Sequence, residues 1–169
     1  EYSREFNFVV DEIDAQEIEK IAISSTKIRN SINEGDLKTT KIYLGRFFSL
    51  TGKVVKGDGL GKQIDYPTAN ISIEEDYKII PKDGVYYIKT TIDNKLYNGM
   101  MNIGHRPTIG TKEKSIEVNL FSFNKDIYDK VISVDVVEKI REEKKFSSIE
   151  ALKTQLAKDE EHCLKLINK

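Results

Sequence analysis

The chain of 169 residues has one cysteine, two histidines and three prolines, and each shortage removes a class of protein. A lone Cys163 closes no internal disulfide, which excludes a disulfide-stapled scaffold. His105 and His162 are the whole histidine complement, and neither HExxH nor CxxC spacing occurs, so a zinc site is not expected. A Cys-His nucleophile lacks a positioned partner as well. No run approaches the ~18 apolar residues of a membrane span, and no membrane partner is expected. Charge of one sign is also scarce. The 27 basic side chains stand against 28 acidic ones, a formal net charge of −1, which gives no general pull toward nucleic acid or anionic lipid. Glu1 opens the chain with no charged-then-apolar leader, so the expectation is a cytoplasmic protein and a fragment of a longer chain.

The residues that are present divide in two. In residues 1–23 the apolar pieces "FNFVV" and "IEKIAI" predict two brief strands joined by a polar connection. Next, Ser24, Ser25 or Thr26 can cap a helix whose stop is Gly35. From Phe47 onward "FFSLTGKVVKG", "GVYYIKTTID", "KLYNGMMNIG", "SIEVNLFSF" and "IYDKVISVDVVEKI" are rich in Val, Ile, Tyr, Phe and Thr, and several alternate in polarity. Strands without intervening helices predict a mainly β fold, an antiparallel sheet closing into a small barrel. At the end, Ile149, Leu152, Leu156, Cys163, Leu166 and Ile167 recur at helical spacing behind a Ser147/Glu150 capping-box pattern. One C-terminal amphipathic α-helix should pack on the barrel.

Three segments could carry chemistry. "VVKGDGLGKQIDYPTAN" runs through Gly57, Gly59 and Gly61 to Lys62, and glycines let backbone N–H groups approach an anion while a lysine adds a point charge. A glycine-rich hairpin loop with a solvated lysine fits the same letters, and the Walker pattern does not. Pro67 stiffens the residues after it, and Thr68 and Asn70 would share a face of an extended segment as two hard oxygen donors, a set that suits Mg²⁺ beside phosphates. In "SIEVNLFSF", Glu117 would project from the polar face opposite Ile116, Val118 and Leu120, as a base or as an ordinary solvated glutamate. "NIGHRPTIG" offers His105 and Arg106 after a strand.

Taken in order, "KGDGLGKQIDYPTAN", "GVYYI", "GMMNIGHRPT", "IEVNLFSFNKDIYDK" and "IREEKKFSSIEAL" resemble the riboflavin kinase domain at the carboxyl end of bacterial bifunctional riboflavin kinase/FAD synthetases. Upstream, "ISSTKIRNSINEGD" resembles the last motif of the FMN adenylyltransferase module of the same proteins, whose earlier motifs are absent. The resemblance implies residues 1–43 as the tail of that module and 44–169 as a riboflavin kinase domain, a six-stranded antiparallel, Greek-key-like barrel with a C-terminal helix. It implies Mg²⁺-dependent conversion of riboflavin and ATP to FMN and ADP, with FAD formation, and self-association, reserved to the full-length protein. By the same resemblance Glu117 is the catalytic base, Thr68 and Asn70 hold Mg²⁺ and ATP phosphates, and Gly57 and Lys62 face the phosphates. Leu120, Ser122 and Tyr128 line the nucleotide pocket, and Arg141 and Phe146 hold the flavin. Three residues depart from the family pattern: Asp65 and Asp129 stand where glycine is usual, and Asn119 where histidine is common. The alternative is a catalytically silent flavin- or nucleotide-binding barrel, with Asp65 beside the phosphate loop either repelling nucleotide or assisting the metal.

Overall fold

A computed structural model describes residues 5–7, 9, 17–18, 21–57, 59–105 and 114–167. Of the two expected amino-terminal strand segments, "IEKIAI" carries strand, and "FNFVV" lies partly outside the described residues. β1 (Glu17–Ile18) and β2 (Ile21–Ala22) pair with each other, so both fall within "EIEKIA", while Phe6 and Asn7 of "FNFVV" lie in a turn.

A helical hairpin comes next. Ser24 caps α1 (Ser25–Glu34) by accepting the Lys27 N–H, and Gly35 ends it at φ 77°, where the N–H of Gly35 returns to Ile32 and that of Asp36 to Ser31. This is a left-handed stop that satisfies the orphan carbonyls. Asp36 at once caps α2 (Leu37–Leu44) through the Thr39 N–H, and the buried Ser31 and Thr40 hydroxyls meet at 2.8 Å between the helices. Leu37 is 3 % exposed and belongs to the same hydrophobic cluster as Leu50, Val134 and Val136 of the sheet.

That sheet is a closed barrel. Its strands are β3 (Phe48–Val55), β4 (Ala69–Ser72), β5 (Gly84–Ile92), β6 (Lys95–His105), β7 (Lys114–Leu120) and β8 (Val131–Arg141), in the order β3-β4-β7-β6-β5-β8. All neighbours pair antiparallel. A one-turn helix, α3 (Leu60–Gln63), sits between β3 and β4.

Two apolar layers fix the arrangement. Leu50, Val54, Ile88, Met101, Ile103, Val118, Val134 and Val136 fill the barrel, as the two-residue period of β3 and β8 requires. Val85, Tyr87 and Met100 instead point out of the wall and are covered by Cys163, Leu156 and Leu166 of α4 (Ile149–Ile167). β5 is therefore buried on both faces and loses the alternation of a half-exposed strand. Burial pushes the Cys163 thiol up to about 12, which leaves it an inert packing group at neutral pH. The cap of α4 is Ser148, which accepts the Ala151 N–H, one residue beyond the expected Ser147; Ile149 and Ile167 at the helix ends stay exposed.

Candidate active site

The end of β7, the four residues of β4 and the segment between β8 and α4 converge on one side of the barrel. Strand register sets Asn70 of β4 directly opposite Glu117 of β7. Val118 points inward at 1 % exposure, so Glu117 and Asn119 take the outer face together.

There they line a partly closed cavity of about 260 Å³, between the outer wall of β5 to β7 and α4. Val85, Met100, Leu152 and Leu156 make it largely apolar, and Tyr66, Thr68, Arg141, Glu143, Lys144 and Phe146 are also on its wall. The Arg141 guanidinium lies over the Phe146 ring at 5.7 Å from the centroid. On the other side of Thr68 an open cleft of about 600 Å³ is lined by Lys62, Asp65, Pro67, Thr68, Leu120 and Tyr128. A third depression of similar volume continues along the turn after β7, past Ser122, Asn124 and Lys153. Thr68 is the residue shared by the closed cavity and the open cleft.

The glycines serve this junction by their missing side chains. A Cβ on Gly57 would stand 1.9 Å from the Asn70 amide nitrogen, and one on Gly61 would stand 2.2 Å from the Tyr66 carbonyl and 3.1 Å from the Thr68 hydroxyl. Backbone is thus pressed against both proposed metal-binding side chains, a cradle any other residue would fill. Asn119, 7 % exposed, donates its amide N–H to the Pro67 carbonyl at 2.8 Å and so fixes the peptide that leads into Thr68.

Two of the departures from the family pattern have a physical account. Asp65 and Asp129 are left-handed, at φ 64° and 62°, where glycine is the default and Asp is among the tolerated exceptions. Each carboxylate is taken up by a lysine: Asp65 by Lys153 of α4 at 2.7 Å, Asp129 by Lys53 at 2.8 Å. These pairs hold both carboxyls below their ordinary range. Burial first, and the Glu160 carboxylate after it, pushes the Tyr66 phenol up.

The structure thus gathers Glu117, Arg141 and Phe146 on the closed cavity, Lys62, Leu120 and Tyr128 on the open cleft, Ser122 on its continuation, and Thr68 between. Gly57 packs against the Asn70 amide, and neither residue is on the wall of these cavities. His105 is tied to Asp83 at 2.7 Å, while Arg106 and the rest of its loop through residue 113 lie outside the described residues. The Pro67 anchor formed by Asn119, the Tyr66 contact and the apolar wall from Leu152 and Leu156 are not readable from the sequence. Helical spacing marks both leucines, as packing residues only. Hydroxyl and amide oxygens are the donor set here; among the described residues no cluster of three His, Cys, Asp or Glu side chains is arranged for a metal. Nor is any described helix long and apolar enough to cross a membrane.

Comparison with known proteins gives one consistent family. A bifunctional riboflavin kinase/FMN adenylyltransferase from Bacillus subtilis (strain 168) is 38 % identical over 146 residues, covering 85 % of this chain and 46 % of that protein. A solved structure named a macrolide-efflux protein, from Streptococcus pneumoniae, superposes with a TM-score of 0.83 at 37 % identity, over 95 % of this chain and 52 % of its own. Its efflux name belongs to that protein. Riboflavin kinase from Trypanosoma brucei superposes with a TM-score of 0.50 at 25 % identity, over 72 % of this chain and 80 % of its own. The chain spans about half the length of the curated relatives it matches. The family model described as Flavokinase, riboflavin kinase, matches residues 44–167, and the chain belongs to the riboflavin kinase family.

Proposed function

We propose that this chain transfers the γ-phosphoryl group of ATP to the 5′-hydroxyl of riboflavin, giving FMN and ADP. The observation that carries this reading is Thr68, one hydroxyl on the walls of two cavities of different character. The closed cavity, apolar with an aromatic and an arginine at its edge, suits the flat flavin ring. The open cleft, with Lys62 and Tyr128, suits the nucleotide. Reaction then takes place at their shared wall, where positioning and charge neutralisation are what phosphoryl transfer needs.

Thr68 and Asn70 would hold Mg²⁺, and their oxygen donors and glycine cradle fit an ion that takes few protein ligands. When bound, that ion neutralises charge on the ATP phosphates. Glu117 accepts the proton of the riboflavin hydroxyl, and Lys62 supplies positive charge on the nucleotide side. Residues 1–43 read as the end of an FMN adenylyltransferase module, so FAD formation, and any self-association, belongs to the longer protein.

The test is incubation of the purified chain with riboflavin, ATP and Mg²⁺, beside a metal-free control, with FMN and FAD separated by chromatography. Metal-dependent FMN without FAD is the expected result. Flavin binding without any FMN would replace the kinase reading with a silent binding barrel.

A further inference from the structure

At the end of β8 the Arg141 guanidinium is committed to α4. Its Nε donates to both Asp159 carboxylate oxygens at 3.0 and 2.9 Å, Nη2 lies 2.8 Å from Oδ2, and Nη1 donates to the Glu142 carbonyl at 2.9 Å. Asp159 is 2 % exposed and lies off the cavity wall. Gln155, one turn earlier, donates to Asp159 at 2.7 Å and accepts from Lys144 at 2.6 Å, so both cations on the closed cavity are referred to one buried carboxylate. A buried ion pair is a weak source of net stability, since desolvation offsets most of the attraction. What it does supply is geometry, because a forked guanidinium held at several nitrogens has a fixed plane.

We propose that Asp159 is a positioning residue for the flavin: through Arg141 it sets the plane over Phe146 against which the ring is held, without touching substrate itself. This rests on reading the closed cavity as the flavin site. The open cleft has a separate anchor on the same helix, since Lys153 pairs with Asp65 of its wall at 2.7 Å. Loss of Asp159 should therefore be felt by one substrate and not the other.

The experiment compares Asp159→Asn and Asp159→Glu with the unaltered chain, measuring KM for riboflavin and for ATP separately. Riboflavin Kd is read by fluorescence titration without ATP. For Asp159→Asn, riboflavin KM and Kd should rise roughly tenfold or more, with ATP KM within about twofold of the unaltered value. Asp159→Glu keeps the buried charge paired but displaces the guanidinium, and should weaken riboflavin by roughly threefold. A folded Asp159→Asn with unchanged riboflavin Kd, or with both KM values raised alike, overturns the proposal. Should Asp159→Asn not fold, an unchanged riboflavin Kd in Asp159→Glu overturns it equally. If the unaltered chain binds riboflavin without turnover, the kinase reading fails while the titrations still decide this one; if it binds no riboflavin, both fall.

Discussion

The two cavities on either side of Thr68 are built by different means. Strand faces and α4 wall the closed one, and its charged edge is a buried ion pair, Arg141 with Asp159. Much of the open one is walled by the segments after α3 and after β7: Asp65 of its wall and the Asp129 next to Tyr128 are left-handed, and each is met by a lysine on the exposed surface. Packing holds a side chain to a fraction of an ångström, and breaking a buried pair from one side costs about 3–5 kcal/mol. Exposed pairs hold weakly. Breaking the buried pair on the flavin side should therefore disturb stability and binding together, whereas breaking the exposed pairs on the nucleotide side should leave the fold alone.

The largest effect tests the boundary between the two. Glu117→Gln should cut turnover by roughly 10³-fold, in the range of general-base removal, while riboflavin titration stays near normal; a variant that turns over freely would take Glu117 out of the proton transfer. Thr68→Ala should rank second, with the rate down about 10²-fold and the Mg²⁺ needed for half-maximal rate raised. Unchanged kinetics in a metal titration would remove Thr68 from the shared wall. Asn119→Ala removes the part-buried hydrogen bond to the Pro67 carbonyl and should cost about 0.5–1.5 kcal/mol in denaturant unfolding, with the ATP KM raised. Asn119→His, the family's usual residue, should restore both if a donor to Pro67 is what matters. The smallest effect belongs to Asp65→Gly. Relief of a left-handed aspartate and loss of an exposed ion pair oppose each other, so the thermal midpoint at neutral pH should barely move. The sign appears in acid. Because Lys153 holds the Asp65 carboxyl below its ordinary 3.8, the pair contributes above that pH and is lost as pH falls through the lowered value. The glycine variant should lack that part of the acid slope in thermal unfolding below about pH 3.8.

The same difference governs what the sequence made legible. β3 and β8 each have one buried face and show it as alternation, and the ordered motifs fix the family and its barrel. Glu117 and Thr68 stand out as candidates because they sit inside such motifs. Asp159 is not. In "KDEEH" three consecutive carboxylates look alike, yet a helix turns each by about 100°, sending Asp159 to Arg141, Glu160 to Tyr66 and Glu161 to Lys165 in solvent. Their partners lie 18, 94 and 4 residues away along the chain, and only the last is a local pattern. Ser148 displaces Ser147 as the α4 cap for a related reason, since two adjacent serines offer the same oxygen and the approach of the backbone decides between them.

Leu37 has a consequence for how the molecule opens. Its side chain lies in the barrel's own hydrophobic cluster, Lys38 of the same helix pairs with Glu138 of β8 at 3.1 Å, and Gly35 packs on the Tyr86 hydroxyl. α2 is thus part of one cooperative unfolding unit with the strands, and its central amide hydrogens should exchange with solvent on the timescale of β8 rather than of a frayed surface helix. Residue 44, where the family match begins, falls inside that unit, so the kinase barrel as a thermodynamic object starts earlier than the kinase barrel as an inherited sequence.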